Sequence, residues 1–270
     1  MAVATVALVT GASSGIGAAT ARLLSERGFE VYGTSRRPDQ LAPSAPPSIR
    51  WVAMDVCSDD SVSRGVREVL EKTPRIDALV CNAGSGTFGS VEEMPLDVAR
   101  AQLETNFFGT LRTLRAVLPD LRERRGGRVV LVGSLAGRAP IPFQAHYSAS
   151  KAAIDALALA LRNELHPFGV RISLVEPGDI RTAFNAATDF GDTSGSAYGE
   201  RIENCRRVVE EFMPRAPGPE IVAEVIHRAL TARRPRVRYA VGPESRLAPL
   251  GRRLLPDALM LRFIRSHFRI

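Results

Sequence analysis

The sequence predicts an α/β protein, a doubly wound parallel sheet of about seven strands with helices on both faces. Three observations carry that expectation. Short runs rich in Val, Leu and Ala alternate with helical patterns from Thr5 to Val241. The first run leads directly into a glycine-rich turn that opens a helix. The glycines and polar residues of unusual type fall where strands end and helices begin, which is where open parallel sheets bind ligands.

Taken in order, Thr5–Val9 reads as a buried strand, followed by Thr10-Gly11-Ala12-Ser13-Ser14-Gly15-Ile16-Gly17 and a helical pattern to Gly28. Gly11 permits a tight turn, Gly15 lets backbone approach a pyrophosphate, and Gly17 lets the helix pack on the strand. Ser13, Ser14 and Ile16 then sit at a helix N-terminus, where an anion is favoured. The spacing G-x-x-x-G-x-G differs from the usual G-x-G-x-x-G. Glu30–Ser35 is the second strand. Its end carries Ser35, Arg36 and Arg37, where a cofactor lacking a 2′-phosphate usually meets an acid. A guanidinium fork suits a phosphate, so NADP(H) is expected in preference to NAD(H). The plain alternative is a solvated turn in an arginine-rich chain.

Asp39 to Ser48 reads as a surface loop. Trp51–Met54 is a third strand ending in Asp55-Val56, and Ser58 to Leu70 a helix capped by Ser58 or Asp59. Ala78–Cys81 is a fourth strand ending in Asn82-Ala83-Gly84. Leu96 to Arg125 reads as one long helical region enclosing Asn106, whose amide must find partners. Arg128–Val132 is a fifth strand ending at Gly133-Ser134. The loop Arg138 to Phe143 leads into the Tyr147 helix. Val170–Val175 is a sixth strand, followed by Glu176-Pro177-Gly178-Asp179-Ile180-Arg181-Thr182.

Phe184 to Pro214 breaks the alternation. It is polar and carries Phe184, Phe190, Tyr198 and Phe212, and it reads as a lid or substrate loop. Pro219–Ala232 is a further helix and Arg238–Val241 the last strand. From Leu247 to Ile270, Arg alternates with Leu, Met, Phe and Ile at helical spacing. That pattern predicts an amphipathic helix packed on its own domain or on a second subunit, in preference to a membrane surface. The expected organisation is one catalytic domain over 1–242, with the lid at 184–214, and a basic extension over 243–270.

The chemistry centres on Tyr147-Ser148-Ala149-Ser150-Lys151. Four residues make roughly one helical turn, so Tyr147 and Lys151 share a face. A fixed positive charge favours the phenolate of a tyrosine, which otherwise titrates near about 10. The chain has 36 Lys plus Arg, and only Lys72 and Lys151 are lysines. Arg does not deprotonate in proteins, so an isolated Lys beside a Tyr suits proton relay.

Composition narrows the classes. The 270 residues are 45% hydrophobic and 24% charged, as in globular proteins. No apolar run reaches the ~18 residues of a membrane span, and Met1–Val9 reads as a strand rather than a signal peptide. Cys57, Cys81 and Cys205 are too scattered for a disulfide framework or a metal site, which fits a reducing cytoplasm. The formal charge of +7 lacks the interleaved basic and aromatic pattern of a nucleic-acid binder. It is also local: from Glu244 to Ile270, six arginines face only Glu244 and Asp257.

These residues together resemble the short-chain dehydrogenase/reductase family, in its single-domain branch. The resemblance covers about residues 4 to 242 and rests on Thr10-Gly11-x-x-x-Gly15-Ile16-Gly17, Asp55-Val56, Asn82-Ala83-Gly84, Asn106, Ser134, Tyr147-x-x-x-Lys151 and Pro177-Gly178 with Thr182. Cys81 and Gly133 are minor departures, standing where Asn and Ser are common. The resemblance implies a Rossmann-type fold. It implies that Tyr147 is the general acid/base, that Ser134 orients the substrate oxygen, and that Lys151 lowers the Tyr147 pKa and holds the nicotinamide ribose. Asn106 would support a water leading from Lys151 to solvent. Asp55 and Val56 would meet the adenine, Asn82 to Gly84 its ribose, and Pro177, Gly178, Ile180 and Thr182 the nicotinamide side. Phe143 and Phe184 are expected beside the substrate.

The nearest subgroup looks like hydroxysteroid, retinol and related lipophilic ketone reductases. The implied activity is NADP(H)-dependent interconversion of a ketone and a secondary alcohol on an apolar substrate, polycyclic compounds and secondary metabolites included. Isomerisation, epimerisation or dehydration at the same site, and cofactor binding without turnover, are the alternatives. The small residues Ala149, Ala152, Ala153, Ala156 and Ala160 would let helices of two subunits approach, as in the family's homodimers and homotetramers.

Overall fold

A computed structural model describes residues 5–41, 46–182, 195–242 and 256–270. Its strands are β1 (Val6–Val9), β2 (Glu30–Ser35), β3 (Ile49–Ala53), β4 (Ala78–Cys81), β5 (Gly127–Val132), β6 (Val170–Pro177) and β7 (Arg238–Val241). They form one sheet in the order β3-β2-β1-β4-β5-β6-β7, with every neighbouring pair parallel. The order reverses between β1 and β4, so a crevice opens at the ends of those two strands, as doubly wound sheets require. Gly11 and Asn82 lie at that point.

The helices are α1 (Gly15–Glu26), α2 (Asp59–Lys72), α3 (Leu96–Leu103), α4 (Gly109–Glu123), α5 (Ala145–Glu164), α6 (Gly199–Phe212), α7 (Glu220–Thr231) and α8 (Asp257–Phe268). The period of two along β1 explains the layers. Val6 and Leu8 enter one core with residues of α2, α4 and α5. Ala7 and Val9 enter the other with residues of α1 and α7. Strands buried on both faces read as continuous apolar runs, which is why these segments are legible as strands.

Several boundaries differ from expectation for identifiable reasons. Ser58 is the cap of α2, its hydroxyl accepting from Ser61 N at 3.2 Å. The long helix over Leu96 to Arg125 is divided by a π-turn, Glu104–Phe108. The Thr110 hydroxyl takes the Asn106 carbonyl at 2.8 Å, and a Cβ on Gly109 would lie 2.8 Å from Val56 Cγ2. Such turns recur at functional positions. β6 continues through Glu176 and Pro177, which pair with Ala240 and Val241. A proline is tolerated at a strand end because it lacks only a donor.

The described part of the segment expected as a lid holds α6 rather than open loop; residues 183–194, with Phe184 and Phe190, lie outside the described residues. In α6, Ile202, Cys205 and Val208 form a buried stripe. Arg206 pairs with Glu203 and Glu210 on its outer side. The charged residues conceal the helical period. From α8, Phe268 and Ile270 pack against a cluster of Phe88, Ile202 and Cys205, and Arg269 pairs with Glu211 at 2.9 Å. The end of the tail helix therefore packs on its own domain. Among the described residues, no helix is long and apolar enough to cross a membrane.

Candidate active site

Ser134 stands where β5 ends and caps a 3-10 turn, Leu135–Gly137, by accepting from Ala136 N at 3.1 Å. A Cβ on Gly137 would lie 2.9 Å from the Lys151 carbonyl, so the Ser134 turn rests directly on α5. Tyr147 and Lys151 share the first turns of α5, with Lys151 Nζ 5.8 Å from the centre of the Tyr147 ring. Lys151 is only 7% exposed and donates to Val132 O at 3.0 Å. Burial favours its neutral form and pushes its pKa down to about 8. Burial pushes Tyr147 up, and a hydrogen bond with Ser134 opposes that rise without cancelling it. The Tyr147 pKa is therefore raised, with burial the larger cause, where the sequence led to the expectation of a fall.

Asn106 sits in the π-turn at 1% exposure. Its Oδ1 accepts from Ser85 N at 2.9 Å. Its Nδ2 donates to Ser85 O at 3.1 Å and Ser150 Oγ at 2.9 Å. Ser150 Oγ in turn donates to Tyr147 O at 2.7 Å. Asn106 therefore ties the chain after β4 to the turn of α5 that presents Tyr147. A Cβ on Gly84 would lie 3.1 Å from Asn106 Oδ1 and 3.7 Å from Lys151 Nζ, which puts Gly84 in the wall around the ammonium.

The glycine turn lies at the same sheet edge. Gly11 and Gly15 have φ of 64° and 53°, values that favour glycine. A Cβ on Gly17 would collide with Gly11 O. Ser13 and Ser14 are exposed and Ile16 is half-buried. The Ser14 side chain caps nothing, and the first turn of α1 contains no acid. Asn82 Nδ2 donates to Thr10 O at 3.0 Å and Gly11 O at 3.2 Å. Thr10 Oγ1 accepts from the N–H groups of Asn82 and Ala83 at 2.9 and 3.0 Å. The Asn82 amide thus holds the glycine turn. A Cβ on Gly15 would lie 3.4 Å from Thr182, so Thr182 faces the same turn.

Beyond β2, Arg36 is exposed and holds no ion pair among the described residues, while Arg37 reaches only the neutral Gln40, at 3.4 Å. The Ser35 hydroxyl accepts from Arg37 N at 3.2 Å. Asp55 Oδ1 accepts from Cys57 N at 2.9 Å, and Val56 packs against Gly109 at the start of α4. Gly178 N donates to Val241 O at 2.8 Å, and Ile180 is buried. Phe143 has a φ of 60°, a strained value for an aromatic residue, and its carbonyl accepts from Gly89 N at 2.7 Å. It lines a cavity of about 390 Å³ with Ser90, Val91, Glu92 and Tyr198. Phe184 lies outside the described residues. Among the described residues, no cluster of His, Cys, Asp or Glu could hold a metal.

Sequence reasoning overlooked the groups that hold this constellation. Ser85 and Ser150 act through contacts that no local pattern reports. Glu176 is 2% exposed and lies 3.2 Å from Arg238 and 3.7 Å from Arg138; Arg238 also grips Asp155, one turn beyond Lys151. This network joins β6, β7, α5 and the Ser134 turn. The rarity of a carboxylate in an apolar strand was the available signal.

The family model for short chain dehydrogenases matches residues 5–191. The 3-ketodihydrosphingosine reductase of Bacteroides thetaiotaomicron is 34% identical over 266 residues, which cover 97% of this chain and 97% of that protein. The 17-beta-hydroxysteroid dehydrogenase type 1 of Homo sapiens is 36% identical over 271 residues, covering 94% and 81%. A short-chain dehydrogenase from Streptomyces avermitilis superposes with a TM-score of 0.83 at 32% identity, covering 99% and 97%. With its parallel sheet, its glycine turn and the Ser134, Tyr147 and Lys151 grouping, the chain belongs to the short-chain dehydrogenase/reductase family of oxidoreductases.

Proposed function

We propose that the protein interconverts a ketone and a secondary alcohol on an apolar substrate, using NADP(H). The observation that carries this reading is the Tyr147 phenol, hydrogen-bonded with Ser134 and held 5.8 Å at its ring centre from the buried Lys151 Nζ. The glycine turn supports a dinucleotide. Ala83 leaves no space for a side chain at Gly11, nor does the Gly11 carbonyl at Gly17, and the uncapped, acid-free start of α1 favours a pyrophosphate. The bound cofactor supplies the hydride at its nicotinamide.

In this reading the raised pKa keeps Tyr147 protonated, so its hydroxyl can give a proton to the substrate oxygen as that oxygen gains charge. Ser134 Oγ donates to the same oxygen and orients it. The Lys151 ammonium steadies the phenolate left behind and holds the cofactor ribose, and Asn106 keeps the Tyr147 turn in place beside the water path to solvent. Asp55, Val56 and Asn82 to Gly84 would line the adenosine side, and Pro177, Gly178, Ile180 and Thr182 the nicotinamide side. Phe143 and the 184–214 segment, Phe184 included, would shape the substrate site. The names of the ketodihydrosphingosine and hydroxysteroid relatives support an apolar ketone. Loss of NADPH absorbance in step with such a ketone is the test. Turnover of substrate without NADPH loss would replace this reading with an isomerase or dehydratase.

The cofactor preference rests on the two uncommitted arginines. Replacing Arg36 and Arg37 together by Ala is expected to weaken NADPH binding at least about tenfold, with NADH binding unchanged, by nicotinamide fluorescence. Equal losses for both cofactors would show the arginines to be a solvated turn.

The same reading includes a homodimer or homotetramer formed through α4 and α5. Ala149, Ala152, Ala156 and Ala160 are exposed there, and Phe108 and Leu159 are 44% and 38% exposed. Light scattering at micromolar concentration should give at least a dimeric mass, and Ala156→Arg should lower it. A monomeric wild type would sink this assignment.

A further inference from the structure

The C-terminal helix α8 has two apolar faces, and the fold accounts for only one. Met260, Ile264 and Phe268 recur every four residues and are the less exposed positions. They turn toward the domain, where Phe268 joins the cluster of Phe88, Ile202 and Cys205 with Phe143 and Tyr198 beside it. On the outer arc, Leu259 and Phe263, one turn apart, are 45% and 63% exposed, whereas Leu261 falls at the edge of the inner face beside Phe268. Interspersed with them, Arg262 and Arg265 are exposed and hold no ion pair among the described residues. Leaving two large apolar side chains and two such cations in water on one face of a short helix gives the folded chain nothing.

We infer that the outer face of α8 docks on an anionic lipid surface. Charge complementarity selects this occupant. A second copy meeting the same face across a two-fold axis would bring Arg262 and Arg265 against their own counterparts, a like-charge contact with no acid on the arc except Asp257 at the helix start. An anionic bilayer presents headgroup charge to the arginines and an acyl boundary to the Leu and Phe side chains. Long Arg stems cover apolar surface while their heads stay at headgroup level, so alternating Arg and apolar residues suit an interface better than a dry protein contact. The charge excess of the chain also lies in this extension, six arginines against Glu244 and Asp257 from residue 244 onward. The packing of Phe268 and Ile270 in the cluster with Phe143 and Tyr198 places the inner side of α8 near two residues that line the 390 Å³ cavity.

The test is co-sedimentation of the full chain with vesicles of phosphatidylcholine alone, or of equal parts phosphatidylcholine and phosphatidylglycerol. The expected result is binding to the mixed vesicles, weak binding to the neutral ones, and release by high salt. Arg262→Gln with Arg265→Gln should weaken the mixed-vesicle binding about 30-fold. Leu259→Ser with Phe263→Ser should weaken it comparably, and thermal melting should show both variants folded. Equal binding of wild type and both variants, or no binding to mixed vesicles, overturns the inference. So does a dimer in light scattering that the Leu259→Ser, Phe263→Ser variant alone converts to monomers, since that would give the face to a second copy.

Discussion

Tyr147→Phe is expected to lower kcat for ketone reduction by roughly 10³-fold, with NADPH binding changed by less than about twofold. The substitution keeps the ring and removes only the hydroxyl. The Asn106–Ser150–Tyr147 chain uses the Tyr147 carbonyl, so the backbone of α5 keeps its anchor. What is lost is the proton given to the substrate oxygen and the partner of Ser134. Ser134→Ala should be milder, about 10²-fold, because one donor to the developing charge is removed and the proton source stays. Single-turnover measurements with saturating NADPH separate the outcomes. A Tyr147→Phe variant with near wild-type turnover would mean that another group supplies the proton. Loss of NADPH binding along with turnover would mean that the phenol serves the cofactor site rather than the chemistry.

How much of this was legible in the sequence depends on the range of the interaction. β2, β4 and β7 were readable to the residue; β4, buried on both faces, is a continuous apolar run. The glycine turn was readable because steric exclusion acts within a few residues: Gly17 lies against Gly11 itself. The grouping of Ser134, Tyr147 and Lys151 followed from the family resemblance, not from spacing alone. The π-turn around Asn106 was not readable. It depends on Gly109 meeting Val56 and on a hydroxyl taking a helix carbonyl, both outside the 3.6-residue period. α6 was hidden because its buried stripe of Ile202, Cys205 and Val208 is narrow among charged residues. The direction of the Tyr147 shift was misjudged for a related reason. A charge four residues away is visible in sequence, whereas desolvation is summed over distant elements.

Lys151→Met is expected to abolish most turnover and to change the pH dependence of stability. In the folded chain burial lowers the Lys151 pKa from 10.5 to about 8. Below pH 8 folded and unfolded chains both hold the proton, and Lys151 adds no slope. Between about 8 and 10.5 the unfolded chain binds more protons, so stability rises with pH through that window. Integrated, the wild type gains about 3 kcal/mol relative to a residue that does not titrate. The Met variant loses this slope, and it leaves Val132 O without the donor it has at 3.0 Å, a cost of about 1 to 3 kcal/mol independent of pH. Denaturant melts of both proteins from neutral pH to above 10 should therefore diverge, with the wild type gaining on the variant as pH rises. Turnover should move oppositely: the wild-type kcat/KM should fall above about pH 8 as the ammonium of the free enzyme is lost. Parallel stability curves would show that Lys151 is hydrated rather than desolvated. A kcat/KM flat through pH 8 would show that its charge is not needed for the reaction. The opposed trends are what a buried cation kept for function produces: the site works where its lysine most burdens the fold.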